Sequence, residues 1–85
     1  MITVRCLGHI GTSVGTKELT LDSSDLEASD LIEKVRSLSQ EAEPGFTRYN
    51  TIVLVEDKEA FVPAGSTKII KSGERVVLLP FSHGG

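Results

Sequence analysis

Eighty-five residues, 39% hydrophobic and 25% charged with a net charge of −3, describe one small globular domain. So short a chain has little interior left for a deep substrate pocket, which argues against an independent enzyme. The Lys and Arg residues are dispersed, and their densest grouping (Lys68, Lys71 and Arg75) is interrupted by Glu74, so it reads as a solvated face rather than a phosphate-tracking surface.

Ile2, Val4 and Cys6 alternate with polar residues in "ITVRCLG" and predict a first strand with these three on one face. Cys6 is the single cysteine, so no intrachain disulfide can form; a lone thiol in a strand is expected to be a small core hydrophobe in a reducing compartment. No charged region followed by a long apolar run opens the chain, and no stretch approaches the ~20 apolar residues of a membrane span. A cytoplasmic location is the expectation. "HIGTSVGT" is read as a glycine-rich turn leading into "KELTLD" (17–22), where Leu19 and Leu21 are spaced by two, which completes a hairpin.

From Ser24 the apolar period changes. Leu26, Leu31, Ile32, Val35 and Leu38 fall largely at helical spacing, predicting an amphipathic helix of about four turns. Ser24 with Glu27 would form its capping box, with Ser29 as the alternative start, and Pro44–Gly45 would stop it. "TIVLVED" (51–57) predicts a strand, Asp57–Glu59 a turn and 60–62 a short strand. "PAGS" breaks the chain, "SGER" (72–75) turns, and "VVLLPF" forms the last strand.

This order implies an α+β domain: a mixed sheet of four to five strands with one main helix across one face, the first and last strands side by side in the middle. Val4, Leu19, Leu21, Leu31, Ile32, Val35, Ile52, Leu54, Val76 and Leu78 are expected in the core. One helix covers one face, so some of Val53, Val55, Val77, Leu79 and Phe81 are expected to lack intrachain cover. If Val76 and Leu78 face the helix, then Val77, Leu79 and Phe81 form a stripe facing a partner.

Familiar catalytic and metal motifs are missing. Two histidines and one cysteine cannot complete a four-ligand zinc site, and neither His9 nor His83 belongs to a nucleophile-elbow motif. Gly15-Thr16-Lys17 has the wrong order for a phosphate loop and leads into a strand, which excludes nucleotide binding by that segment.

What remains is the ending: an apolar strand, Pro80, then Ser82, His83, Gly84 and Gly85. Residues 1–81 are expected to form the domain and residues 82–85 a flexible tail that reaches ~13 Å when extended. Its glycines lack a Cβ, so the thread could pass through a channel that excludes side chains and deliver an ionised carboxylate. In this setting the chain resembles the ubiquitin-like β-grasp sulfur carriers and modifiers. These include the small subunit of molybdopterin synthase, the thiamin-pathway sulfur carrier, the small archaeal modifier proteins and the ubiquitin-related modifier. The likeness spans the whole chain in pattern: "EASDLIEKV" resembles the family's helix start, and "SGERVVLLPFSHGG" its turn, last strand and tail. Molybdopterin synthase small subunits typically end in Pro-Pro-Val-x-Gly-Gly, of which this chain keeps Pro80 but carries Phe81, Ser82 and His83 next. Its His-Gly-Gly ending is similar to that of the ubiquitin-related modifier.

The resemblance implies a β-grasp fold and a protein cosubstrate with no catalytic residue and no bound cofactor of its own. An activating enzyme would spend ATP to adenylate the Gly85 carboxylate, and a persulfide protein would then supply sulfur for a thiocarboxylate. That sulfur would pass to a tRNA through a thiolating enzyme, or to a pterin precursor on a molybdopterin synthase large subunit; otherwise a target lysine would attack the activated carbonyl. The competing reading is a ubiquitin-like binding module with an inert tail.

Overall fold

The computed structural model describes residues 1–81. Among these residues seven strands and two helices follow in the order β1 (Ile2–Cys6), α1 (His9–Val14), β2 (Glu18–Leu21), β3 (Leu26–Glu27), α2 (Ala28–Ser37), β4 (Thr51–Val55), β5 (Lys58–Phe61), β6 (Ile69–Ile70) and β7 (Arg75–Pro80). Five of the strands form one sheet in the order β2-β1-β7-β4-β5, while β3 and β6 pair separately. Only the central β1–β7 pairing is parallel, with Val4 beside Val76 and Cys6 beside Leu78; the β1–β2, β4–β7 and β4–β5 pairings are antiparallel. First and last strands do lie together in the middle of a mixed sheet, as the sequence leads one to expect.

The helix face of the sheet is closed by Ala28, Leu31, Ile32 and Val35 of α2, all fully buried together with Ile2, Val4, Val53 and Leu78. Cys6 belongs to this core, and burial raises its thiol pKa above the ordinary value. That makes it an inert packing group.

Several expectations are corrected by the fold. The glycine-rich segment 9–16 contains a helix. Ile10 and Val14, four residues apart, turn inward and are buried, and Gly15 ends the helix in the left-handed region with φ 91°. Gly11 is confined by backbone, since a Cβ there would come within 2.8 Å of the Cys6 carbonyl oxygen.

Helix α2 has ten residues, less than three turns, and no capping box. Leu26 and Glu27 are drawn into pairing with Ile70 and Ile69, which leaves Glu27 extended at the N-cap with no side-chain cap bond. The orphan donors of the first turn are met from a distant segment: Ala28 N–H donates to Lys68 O (2.9 Å) and Ser29 N–H to Thr67 Oγ1 (3.1 Å). The helix ends well before Pro44–Gly45. Leu38 is half exposed beyond it, and the chain then runs through a loop anchored by the fully buried Phe46.

The parity of β4 is the reverse of the expectation. Val53 lies directly opposite Leu78 and is fully buried, while Ile52 and Leu54, expected in the core, are half-buried on the other face. Val55 packs partly against the core, so neither it nor Val53 is an uncovered residue. Leu19 is likewise only partly buried. The β4–β5 hairpin turns at Glu56–Asp57, both at positive φ (48° and 67°), which fits the primed turns favoured by tight hairpins.

Candidate functional site

Strand β7 alternates as expected: Val76 and Leu78 are buried, Val77 and Leu79 half-buried on the opposite face. On β4, Leu54 lies opposite Val77 and Ile52 opposite Leu79, so four aliphatic side chains form one patch across the two neighbouring strands. Arg5 extends the row beside Val77 on β1, and Glu59 beside Leu54 on β5. The rim is therefore polar and of mixed sign. Arg75 at its lower end is held by Glu56, whose carboxylate accepts from the Arg75 backbone N–H (3.0 Å) with the guanidinium 4.0 Å away.

The upper end is where the chain leaves the domain. Phe81, half-buried, continues the β4–β7 ladder by one bond, its N–H donating to Asn50 O at 2.8 Å. By the antiparallel alternation, the neighbouring Thr51–Pro80 pair is a non-hydrogen-bonded one, so the nitrogen of Pro80 points toward β1. Strand β1 has already ended at Cys6, and its last link to β7 is Leu7 N–H to Leu78 O at 3.0 Å. A residue without an N–H thus costs the sheet nothing there. Pro80 instead packs on Gly8, where a Cβ would stand 3.2 Å from the ring.

Asn50 is held by a braced turn. Its Oδ1 accepts from Thr47 N–H (2.7 Å) and Thr51 Oγ1 (3.2 Å), its Nδ2 donates to Gly45 O (3.1 Å), and its N–H donates to Thr47 O (3.2 Å). Arg36 Nε ties this turn to α2 through Phe46 O at 2.8 Å. Tyr49, on the same turn, is 74% exposed.

Val77 and Leu79 thus share the open face of β7, and Phe81 follows at the end where the chain leaves the strand. Ser82, His83, Gly84 and Gly85, and with them the tail expected over residues 82–85, lie outside the described residues. Sequence reasoning missed Ile52 and Leu54 as half of the patch, and Asn50 as the support of Phe81. The signal for the first pair was available only as parity relative to Val53. The signal for Asn50 was its place immediately before a strand. A cleft of about 650 Å³ beside α1 is lined by Arg5, Thr12, Thr16 and Lys17 among others. Gly15-Thr16-Lys17 comes after that short helix and enters β2, so no helix begins where a phosphate loop would need one.

Among the described residues no group of three or more His, Cys, Asp or Glu is placed to hold a metal, and no helix is long and apolar enough to cross a membrane.

No protein-family model matches the sequence, and no curated protein matches it. Solved structures do. The crystal structure of SAMP1 from Haloferax volcanii, a small archaeal modifier protein, superposes with a TM-score of 0.68 at 14% identity, covering 99% of this chain and 98% of that one. A chain of the Amycolatopsis orientalis BexX/CysO complex gives 0.66 at 20% identity over 100% of both chains. The solution structure of the Haloferax volcanii HVO 2177 protein gives 0.65 at 18% identity, over 99% of this chain and 85% of that one. At these identities the likeness speaks to architecture, and it agrees with the central parallel β1–β7 pair and the helix packed on one face: the chain has the α+β, ubiquitin-like β-grasp fold.

Proposed function

We propose that this protein is a ubiquitin-like sulfur carrier and protein modifier, a cosubstrate whose working group is the Gly85 carboxylate. The observation that carries the reading is the end-to-end likeness to small carrier and modifier proteins in a chain whose central strand leads, four residues on, to Gly84–Gly85. The half-buried patch of Ile52, Leu54, Val77 and Leu79 supports it by offering an apolar surface beside the exit of the tail.

In the proposed reaction an activating enzyme binds ATP and this chain together. A Gly85 carboxylate oxygen attacks the α-phosphorus, pyrophosphate leaves, and an acyl-adenylate forms. The terminal sulfur of a protein persulfide then attacks the acyl carbon and expels AMP, giving an acyl disulfide. A thiol cleaves that bond and releases the thiocarboxylate. The sulfur goes on to a tRNA base, or a target lysine attacks the activated carbonyl to give an isopeptide. Throughout, the chain's own contribution is to dock through Val77, Leu79 and Phe81 and to present a side-chain-free terminus; Ser82 and His83 serve to position it.

ATP–pyrophosphate exchange with the cognate activating enzyme, together with the intact mass of the product, tests this reading. The expected results are exchange dependent on Gly85 and a mass gain of one oxygen-to-sulfur replacement. Normal exchange by a chain lacking Gly85 would overturn Gly85 as the working group, and absence of exchange by the unmodified chain would leave a binding module with an inert tail.

A further inference from the structure

The Gly45–Asn50 turn does more than connect α2 to β4. Its side-chain hydrogen bonds converge on Asn50, which uses both Oδ1 and Nδ2, and Asn50 in turn offers its carbonyl to the N–H of Phe81, the last described residue before the diglycine. On the other side of β7, β1 has left the sheet and Pro80 has no N–H to offer it. The Phe81–Asn50 bond is accordingly the final ladder bond of the sheet among the described residues. An unsupported loop carbonyl would let that bond open. A carbonyl set by a turn with three side-chain hydrogen bonds at one residue, and tied to α2 through Arg36 and Phe46, is fixed in direction.

We infer that Asn50 is a positioning residue for the reacting terminus, acting through the backbone of Phe81. The inference rests on the carrier reading proposed for this chain. Its physical basis is direction: with the Phe81 N–H held on Asn50 O, the path by which the backbone leaves β7 is set at its base. A misplacement of ~1 Å at a reacting atom can cost ~100-fold in rate. Asn50 would therefore affect the chemical step more than docking, because its replacement leaves the Phe81 side chain and the patch on β4 and β7 in place.

The test compares Asn50→Ala with Asn50→Asp. The aspartate keeps the Oδ1 acceptor for Thr47 N–H and Thr51 Oγ1, loses the donor to Gly45 O and turns a carboxylate oxygen toward that carbonyl. Two readouts are taken on each chain: hydrogen-exchange protection of the Phe81 amide in the free protein, and kcat and KM for adenylation. In Asn50→Ala, Phe81 protection is expected to fall at least ~10-fold and kcat ~10-fold, with KM within about twofold of the unmodified chain. Asn50→Asp should stay near the unmodified chain in both, and it decides the matter if the alanine chain fails to fold. Unchanged Phe81 protection and kcat in Asn50→Ala, or an equal loss of both in Asn50→Asp, would overturn the inference. Failure of the carrier reading shows separately, as absence of adenylation of the unmodified chain, and the Phe81 protection pattern still decides whether Asn50 holds the exit.

Discussion

Gly8 illustrates how one residue can shape the end of the central strand. It stands at φ 56°, ψ −139°, a conformation open essentially to glycine, and a Cβ there would press to 3.2 Å from the Pro80 ring. Gly8→Ala should therefore cost about 1–3 kcal/mol of stability, read from denaturant midpoints, and should disturb the β7 exit as well. An unchanged midpoint would mean that Pro80 can move aside freely. Phe81 belongs to the same scale. As a half-buried aromatic beside the patch, it is the expected hot spot for the activating enzyme. Phe81→Ala should weaken that binding at least tenfold (more than ~1.4 kcal/mol) while moving the unfolding free energy by less. The opposite pattern, lost stability with intact binding, would make Phe81 a core residue.

Among the elements, α2 and β4 carry the most decisive tests. Leu31 is fully buried on α2, and Leu31→Ala should cost about 2–5 kcal/mol, through lost transfer free energy and the cavity left behind. The parity of β4 predicts a contrast between neighbours. Val53→Ala removes a fully buried side chain facing Leu78 and should cost about 1.5–3 kcal/mol; Leu54→Ala, on the open face, should cost clearly less and weaken partner binding. Equal stability losses at the two positions would contradict the register. The same strand shows why the sequence misled. In "TIVLV" every residue from Ile52 to Val55 is aliphatic, so alternation has no polar marker, and only pairing with β7 chooses the face. For α2, the apolar period of Leu31, Ile32 and Val35 was legible, but its start was not. A cap supplied by Lys68 and Thr67 leaves no local trace beside residue 28. Nor did the glycines of segment 9–16 hide its helix completely, since Ile10 and Val14 stand at helical spacing; their density outweighed that one pair.

At the scale of the whole molecule, the proposed reacting group is expected to be separable from the fold. Deleting Gly85, or adding one residue after it, should abolish adenylation while leaving the thermal midpoint of unfolding unchanged, because the core cluster built among the described residues runs from Ile2 to Leu78, well before the change. Gly84→Val should likewise spare stability and block passage through a channel sized for bare backbone. Sequence by itself determined the class of fold, the inward faces of β1, β7 and α2, and the burial of Cys6. Each of these is written in local period or in residue type, and local period is set by backbone geometry alone. Tertiary structure decided the rest. It chose the face of β4, through antiparallel register with β7. It moved Leu26 and Glu27 from a helix cap into a strand, through pairing with residues far along the chain. It also put Asn50 against Phe81, a contact across 31 positions that no spacing rule encodes. The physical reason is common to all three: hydrogen bonds and burial between distant segments outweigh local propensities worth a fraction of a kcal/mol to ~1 kcal/mol per residue.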